Sequence, residues 1–183
     1  MDQTEDFEII KLVLNGDRDS YRVLVQRYQN QVFSSVMRVI GEREISMELT
    51  QDVFVKAYQA LSSFRFKAKF STWLTRIALN HTNSFLSSRR FKDLKKNVPF
   101  NAERHDSGEI DSDNEHGDEE IVRLRTALSR LPIPFREVVT LCDLEGKSYE
   151  EAALILEIPI GTIRSRLNRA RLKLKDAFMM EVI

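Results

Sequence analysis

The hydrophobic positions of this 183-residue chain recur at the spacing of an α-helix in almost every segment outside residues 91–118. The amino-terminal part is predicted to form four helices, each with an apolar stripe along one face. Glycines follow the first two helices, and Ser71 is the predicted N-cap of the fourth. The first helix is predicted to follow Asp6 and to end at Asn15, the second to run from about residue 20 to residue 40, and the third from about residue 46 to residue 61.

Residues 91–118 lose this periodicity and are rich in Asp, Glu, Asn, Ser and Gly, with one proline at Pro99. Such a composition buries too little apolar surface to fold and is typical of a flexible linker. We therefore predict an all-α protein of two small helical domains, residues 1–92 and 119–183, joined by a flexible acidic linker at 93–118.

A helix-turn-helix is predicted within the carboxy-terminal domain. Ser148 and Glu151 have the Ser-x-x-Glu spacing of a capping box, which opens a short helix. Residues 157–160 interrupt that helix, and a second helix follows. Two helices joined by such a short turn can set the second helix into the major groove of DNA. The predicted buried stripe of the second helix consists of Ile163, Leu167, Ala170 and Leu174.

The second helix of that pair has a strongly basic outer face. At about 100 degrees of rotation per residue, Ser165, Asn168 and Arg169 lie opposite the buried stripe and are the candidate base-reading residues. Between Ile160 and Lys175 there are six basic residues and no acidic one. Cationic side chains beside such positions, and backbone N–H groups at a helix start, commonly contact phosphates. The residues predicted to bind duplex DNA are Thr162, Arg164, Ser165, Arg166, Asn168, Arg169 and Arg171.

The fourth helix has a ridge of polar residues beside its aromatic core face. Aromatic and cationic residues precede this polar ridge, whose members recur at spacings of four, four, three and four. The members of the polar ridge are Thr72, Arg76, Asn80, Asn83 and Ser87. Unpaired DNA needs cations for its backbone, flat side chains for its bases and amides for base edges. An ordinary place in the hydrophobic core remains an alternative for Trp73 and the phenylalanines. The residues predicted to bind single-stranded DNA are Phe64, Arg65, Lys67, Lys69, Ser71, Thr72, Trp73, Arg76, Asn80 and Asn83.

The formal net charge is zero, but the charges are unevenly distributed along the chain. Residues 60–96 contain 9 Lys/Arg and 1 Asp/Glu, and residues 121–183 contain 11 and 8. Residues 97–120, in contrast, contain 1 Lys/Arg and 9 Asp/Glu. Two basic zones separated by an acidic one favour two contacts with nucleic acid and a spacer that avoids it.

Composition disfavours several classes of function. No apolar run approaches the length of about 18 residues that spans a membrane, and the acidic start is unlike a signal peptide, so we expect a cytoplasmic protein. The single cysteine, Cys142, excludes an internal disulfide framework, and the histidines lack a metal-ligand pattern. No carboxylate pair, Cys-His pair or glycine-rich phosphate loop indicates an enzyme acting on nucleic acid. We therefore expect no enzymatic activity, metal, cofactor or small-molecule substrate.

Taken together, the motifs resemble those of the extracytoplasmic-function sigma factors of the sigma-70 superfamily, in the family's order and spacing. The resemblance covers nearly the whole chain and rests on residues 21–28, 48–54, 70–80 and 148–171. It implies an alternative sigma factor that binds core RNA polymerase, directs it to specific promoters and helps to melt the minus-ten element.

The resemblance also implies a role for each segment. The third helix would dock on the beta-prime clamp helices of the polymerase, the segment 64–83 would capture the unpaired minus-ten strand, and the helix-turn-helix would read the minus-thirty-five duplex. The acidic linker would run toward the RNA exit path. Further implied partners are the beta flap and an anti-sigma factor, often membrane-tethered. The residues implied in core-polymerase binding are Glu48, Gln51, Asp52 and Phe54.

Glu157 departs from the family pattern, which usually has glycine at this turn. A non-glycine residue there must adopt a left-handed backbone conformation at a cost of about 1 kcal/mol. The main alternative function is a stand-alone helix-turn-helix regulator of transcription. That function accounts for residues 121–183 but gives no purpose to the polar ridge of the fourth helix.

Overall fold

The computed structural model of the chain describes residues 3–88 and 115–180, with side chains described for residues 4–88 and 121–177. Eight α-helices and no strand occur within these ranges, which confirms the all-α prediction. The helices are α1 (Gln3–Leu14), α2 (Tyr21–Ile40), α3 (Arg43–Ala60), α4 (Phe70–Ser87), α5 (Glu115–Arg130), α6 (Ile133–Val139), α7 (Tyr149–Leu156) and α8 (Ile160–Met180).

Two helices begin earlier in the chain than predicted. Helix α3 begins before Ser46, because the Glu42 carboxylate accepts two backbone N–H groups of the first turn at 3.0 and 2.9 Å. Ser71 is not an N-cap: Lys69 occupies that position without a side-chain cap, and Ser71 lies within the first turn of α4. Gly41 ends α2 in the left-handed conformation, as predicted, with φ +80°.

Helices α1 to α4 form the amino-terminal unit around one hydrophobic core. The predicted apolar stripes of α2 and α3 lie in this core, and α4 packs across both helices. The largest side chains that are almost fully buried there are Ile10, Leu24, Leu61, Phe70 and Leu74.

A buried carboxylate joins α1 to α2. Asp6 was predicted to precede α1 but lies within it, with 3% of its surface exposed. It accepts a hydrogen bond from the Tyr28 hydroxyl and another from Arg27 Nη1 at 2.6 Å. Burial, together with this bond to Asp6, raises the pKa of Tyr28 above its ordinary value. The contact therefore supplies the partner that a buried carboxylate requires.

Helices α5 to α8 form the carboxy-terminal unit, whose core extends onto the amino-terminal unit. Val39 at the end of α2 and Leu79 in α4 are buried in the same cluster as the apolar residues of α5, α6 and α8. Arg136 in α6 donates to the Val39 carbonyl and to the Leu131 carbonyl, the latter at 3.0 Å. The two units are therefore packed directly against each other.

Helix α5 begins at Glu115, so residues 115–118 are helical although they were predicted to belong to the linker. The rest of the predicted linker, residues 93–114, lies outside the described residues. Within the described ranges, no helix combines the length and apolar character needed to cross a membrane.

Candidate functional site

The helix-turn-helix is formed by α7 and α8, and the predicted capping box is present. The Glu151 N–H donates to Ser148 Oγ, and the Ser148 N–H donates to Glu151 Oε2, both at 3.1 Å. Glu157 ends α7 with φ 54° and ψ 40°, the left-handed conformation expected at this turn. The glycine that the family pattern favours here is therefore replaced by a residue under local backbone strain.

Helix α8 has one buried face and one exposed face, as its periodicity predicts. Ile163 and Leu167 are buried in the core of the carboxy-terminal unit. Arg164, Asn168 and Arg169 are exposed and make no hydrogen bond or ion pair with other residues that the structure describes. Their donor groups are therefore available to a partner outside the chain.

Arg171 does not belong to this open face. Its Nε donates to Asp143 Oδ2 at 3.0 Å and its Nη2 to Asp143 Oδ1 at 2.5 Å. The hydrogen bonds that Arg171 donates to Asp143 are the main cause that raises the pKa of Arg171. This two-point contact orients α8 on the preceding π-helical turn, Thr140–Leu144. Arg171 is thus engaged within the protein, and the prediction of a phosphate contact is not supported.

Two further predicted DNA residues are partly occupied within the chain. Burial raises the pKa of Glu137, and the half-buried Arg166 lies close enough for its positive charge to oppose that rise. The Thr162 N–H donates to the Pro159 carbonyl at 2.8 Å, so this amide is not free for a phosphate. Ser165 is exposed, although its hydroxyl donates to the Thr162 carbonyl at 3.1 Å. Fewer residues of α8 than predicted are therefore both exposed and free of contacts within the chain.

The loop before α4 is fixed by aromatic packing. The rings of Phe7, Phe64, Phe66, Phe70 and Trp73 form a cluster in which contacting centroids lie 5.0 to 5.9 Å apart. Phe64 has 5% of its surface exposed, so it is a core residue and cannot stack on a base in this conformation. Trp73 is only half-buried. Phe66 has φ 56°, a strained conformation that the cluster holds in place.

The cationic side chains of this loop point to solvent. Arg65, Lys67 and Lys69 are all exposed, while Ser71 is half-buried. Thr72 was predicted to belong to the exposed polar ridge, but only 7% of its surface is exposed. It lies one helical turn from Arg76, on a side of α4 that the carboxy-terminal unit approaches.

The polar ridge of α4 is accessible in part and covered in part. Asn80 is exposed, whereas Asn83 is half-buried and its Nδ2 donates to Glu137 Oε1 at 2.7 Å. Arg76 is exposed but pairs with Glu157, with Nη2 and Oε1 2.6 Å apart. Carboxylates of the carboxy-terminal unit therefore occupy donor groups that were predicted to face DNA.

Helix α3 exposes polar and apolar residues on the same face. Glu48, Gln51 and Asp52 are exposed as predicted, and Asp52 Oδ2 lies 3.1 Å from His81 Nε2 of α4. Phe54, in contrast, has 7% of its surface exposed and belongs to the core. Its carbonyl accepts the Tyr21 hydroxyl at 2.8 Å.

Sequence reasoning missed the apolar residues of this face. Helical rotation places Met47, Val55 and Tyr58 beside the exposed polar residues of α3, and Val55 is 56% exposed. The sequence did contain a signal for this surface, because these apolar residues lie off the predicted buried stripe of α3. Exposed apolar side chains bordered by polar residues mark candidate protein-protein contacts.

Metal-ligand chemistry has no support in the described part of the chain, where no group of three or more His, Cys, Asp or Glu side chains could hold an ion. Cys142 is a free, half-buried thiol. Burial raises its pKa, with a further contribution from Asp143, so the thiolate form is disfavoured.

Two family models match the chain, one in each unit. The model described as Sigma-70 region 2 matches residues 24–92, and the model described as Sigma-70, region 4 matches residues 121–174. The first match includes α3 and α4, and the second includes the helix-turn-helix.

Similar proteins and structures cover nearly the whole chain. The ECF RNA polymerase sigma-E factor of Escherichia coli is 38% identical over 93% of this chain and 92% of its own length. That of Haemophilus influenzae is 34% identical over 93% of both chains. The sigma factor RpoE of Bartonella quintana, solved with the anti-sigma factor NepR, has a TM-score of 0.71 and 26% identity over 87% of this chain and 96% of its own. CnrH, solved with the cytosolic domain of CnrY, has a TM-score of 0.67 and 25% identity over 94% and 96%.

Both halves of the chain thus match sigma-70 models, and full-length relatives exceed 30% identity over more than nine-tenths of the sequence. The chain belongs to the extracytoplasmic-function sigma factors.

Proposed function

We propose that this sigma factor divides promoter recognition between an exposed helix face that binds duplex DNA and a polar helix face that binds an unpaired strand. Like its family, it is an alternative initiation factor that brings RNA polymerase to promoters, and it is not an enzyme. Residues 1–92 correspond to sigma region 2, residues 93–118 to the linker and residues 119–183 to sigma region 4. Helicity from Glu115 onward favours a linker that ends slightly earlier.

Duplex recognition of the minus-thirty-five element is assigned to the exposed face of α8. The observation that carries this assignment is that Arg164, Asn168 and Arg169 are exposed opposite the buried stripe and have no partner among the described residues. Arginine and asparagine are the side chains that commonly read guanine and adenine in the major groove. Ser165 lies between them and completes the candidate reading surface.

Capture of the unpaired minus-ten strand is assigned to α4 and the loop before it. Arg65 and Lys67 supply exposed cations, Asn80 and Asn83 supply amides, and the half-buried Trp73 supplies a flat apolar side chain. Phe64 and Thr72 are too buried to touch a base and support this surface from below, as do the rings of Phe7, Phe66 and Phe70.

Core-polymerase binding is assigned to the exposed face of α3. Glu48, Gln51 and Asp52 provide polar contacts there, and Met47 and Val55 provide exposed apolar surface. Phe54 is replaced in this role by Val55, because Phe54 is buried in the core. The partners of this face would be the beta-prime clamp helices, while the beta flap would bind the carboxy-terminal unit.

An anti-sigma factor is a further proposed partner. Two structural neighbours, RpoE of Bartonella quintana and CnrH, were solved in complexes with NepR and with the cytosolic domain of CnrY. RNA polymerase is the proposed target, so we place the protein in the cytoplasm.

Reconstitution with core RNA polymerase tests the proposed function. The complete chain should form a stable complex with core enzyme and start transcription at a promoter identified by genome-wide mapping of start sites. Asn80→Ala should reduce opening of duplex promoters, and opening of a template already unpaired at the minus-ten element should suffer less. Lys11→Ala, an exposed substitution on α1, is the control. Promoter binding by the chain without core enzyme, and no stimulation by it, would instead favour the stand-alone regulator.

A further inference from the structure

A histidine of α4 contacts a carboxylate on the exposed face of α3. His81 Nε2 lies 3.1 Å from Asp52 Oδ2, and the two residues are 29 positions apart in the chain. An ionised carboxylate can only accept hydrogen bonds, so Nε2 carries the hydrogen and donates it to Asp52. The contact therefore joins α3 and α4 by a directional bond between side chains.

The two side chains of this pair differ in exposure. Only 18% of the His81 side chain is exposed, whereas 52% of the Asp52 side chain is exposed. His81 lies one helical turn from Ala78 and from Phe85, which are both buried in the amino-terminal core. This spacing places the imidazole at the rim of that core, while the carboxylate extends from α3 into solvent. The half-buried donor can therefore orient the exposed acceptor.

Asp52 belongs to the surface of α3 assigned above to core polymerase. It lies four residues after Glu48 and three residues before the exposed Val55, so the three residues share one face of the helix. Only Oδ2 of Asp52 is engaged by His81, and Oδ1 has no hydrogen bond or ion pair with any other residue that the structure describes. Asp52 can thus accept from His81 with one oxygen and from a partner protein with the other.

The contact should matter more for binding than for folding. An exposed charged side chain contributes little to stability through such a pair, because water competes for it. In an interface, however, a side chain loses rotamer freedom when the partner binds, and a side chain that is already oriented in the free protein loses less. A bond that orients Asp52 beforehand should therefore raise the affinity for the partner.

His81 directly follows Asn80, which is assigned to the unpaired strand, but the two side chains have different surroundings. Successive residues of an α-helix are rotated by about 100 degrees. Asn80 is exposed to solvent, whereas the His81 ring is half-buried and donates to Asp52. The geometry therefore favours a role of His81 on the side of α4 that faces α3.

We propose that His81 is a positioning residue for core-polymerase binding, which holds the Asp52 carboxylate so that Oδ1 faces a cationic or N–H donor of the polymerase. This inference rests on the proposed function of the exposed face of α3. His81 acts through Asp52 and not through a polymerase contact of its own.

Substitutions at position 81 separate the hydrogen-bond donor from the bulk of the side chain. His81→Leu keeps a side chain of similar size at the rim of the core but removes the donor. His81→Gln keeps an N–H donor on a side chain of similar length. Ser84→Ala, at an exposed position of α4 outside the surfaces assigned to polymerase and DNA, is the control.

Competition with a fluorescently labelled wild-type chain for core RNA polymerase is the first measurement. We expect His81→Leu to bind about three- to tenfold more weakly, the effect of ordering one side chain, and His81→Gln and Ser84→Ala to stay within about twofold of wild type. Urea denaturation of the free chains should show little change in stability. Wild-type affinity of His81→Leu, or an equal loss in His81→Gln, would overturn the proposal.

A double-mutant cycle with Asp52→Ala tests whether His81 acts through that carboxylate. In the Asp52→Ala chain, His81→Leu should cause no further loss of affinity, because the group that it positions is absent. An equal loss in both backgrounds would show that His81 acts through the fold and would overturn the proposal. If Asp52→Ala weakens binding and His81→Leu does not, only the inference fails. If Asp52→Ala binds like wild type, the proposed role of Asp52 fails with it.

Transcription at increasing sigma concentration separates polymerase binding from strand capture. His81→Leu should need more protein for half-maximal transcription, by the same factor as its loss of affinity, and should reach the wild-type level at saturation. Asn80→Ala should instead lower the saturated level. A lowered plateau in His81→Leu would place this residue in strand capture and overturn its role in polymerase binding.

Discussion

The outer face of α8 and the polar ridge of α4 are similar in composition but differ in what they contact within the chain. On α8, Asn168 and Arg169 face solvent and have no partner among the described residues. On α4, Arg76 and Asn83 have amide and guanidinium donors of the same kind, but carboxylates accept from both. Two helices with similar polar faces can therefore differ in how many of their donor groups are free to bind DNA. The difference arises because acidic residues of the same chain accept from the donors of α4 and not from Asn168 or Arg169 of α8.

The buried side of α8 gives the largest expected effect. Leu167→Ala should lower the free energy of unfolding by about 2 to 5 kcal/mol, because it leaves a cavity in the core of the carboxy-terminal unit. Asn168→Ala, one residue away on the exposed face, should change it by less than about 0.5 kcal/mol. Urea denaturation followed by circular dichroism measures both. Similar losses for the two variants would contradict the assignment of the two faces.

The open face of α8 should show base-specific losses. Arg169→Ala should cost about 1 to 3 kcal/mol at one base pair of the minus-thirty-five element and relax specificity there. Competition binding by the holoenzyme to promoters with single substitutions provides the measurement. Arg171→Ala should instead lower stability with little change in specificity, because Arg171 is bonded to Asp143. A specificity change caused by Arg171→Ala would reverse this assignment.

The difference between the outer face of α8 and the polar ridge of α4 shows which features can be predicted from the local sequence. The capping box at Ser148 and Glu151, the break at Glu157 and the stripe through Ile163 all depend on neighbours within a few residues, and all were predicted. The same holds for the apolar stripes of α2 and α3.

Contacts between distant residues are the ones that sequence reasoning could not reveal. Asp143 precedes Arg171 by 28 residues, and Asn83 and Glu137 are 54 residues apart. Periodicity places a side chain on a face but does not identify what covers that face. Phe54 and Phe64 show a related ambiguity, since aromatic residues serve both hydrophobic cores and binding surfaces, and only packing distinguishes the two.

Acidity should strengthen the contact between the two units at Glu137 and Glu145. Burial raises the pKa of Glu137, against the opposing effects of Asn83 and Arg166, and it raises the pKa of Glu145 against its hydrogen bond from Ser35 and the charges of Arg38 and Lys147. A raised carboxyl pKa in the packed arrangement of the two units means that their packing takes up protons. The contact between the units at Glu137 and Glu145 should therefore gain stability as pH falls toward the ordinary carboxyl range and lose it as pH rises through the raised values.

Energy transfer between dyes on the two units, followed against pH, measures this dependence. Glu137→Gln together with Glu145→Gln should flatten the profile, because the titrating groups are gone. A transfer efficiency that falls on acidification of the wild-type chain would contradict the expected sign.

The turn between α7 and α8 gives the smallest expected effect. Glu157→Gly should relieve a strained left-handed backbone and stabilise the carboxy-terminal unit by up to about 1 kcal/mol, less the weak contribution of the exposed pair with Arg76. Thermal unfolding measures the net change, with Glu150→Gly inside α7 as the control that should destabilise. A loss of stability in Glu157→Gly would show that its ion pair outweighs its backbone strain.

Photocrosslinking in the open promoter complex tests the division of labour most directly. A photoreactive p-benzoylphenylalanine is placed at position 80 in one sigma variant and at position 168 in another, and each variant is assembled with core RNA polymerase on a radiolabelled promoter. Position 80 should crosslink to the unpaired strand of the minus-ten element, and position 168 to the minus-thirty-five duplex. Crosslinks from position 80 to double-stranded DNA, or from both positions to the same element, would contradict the account.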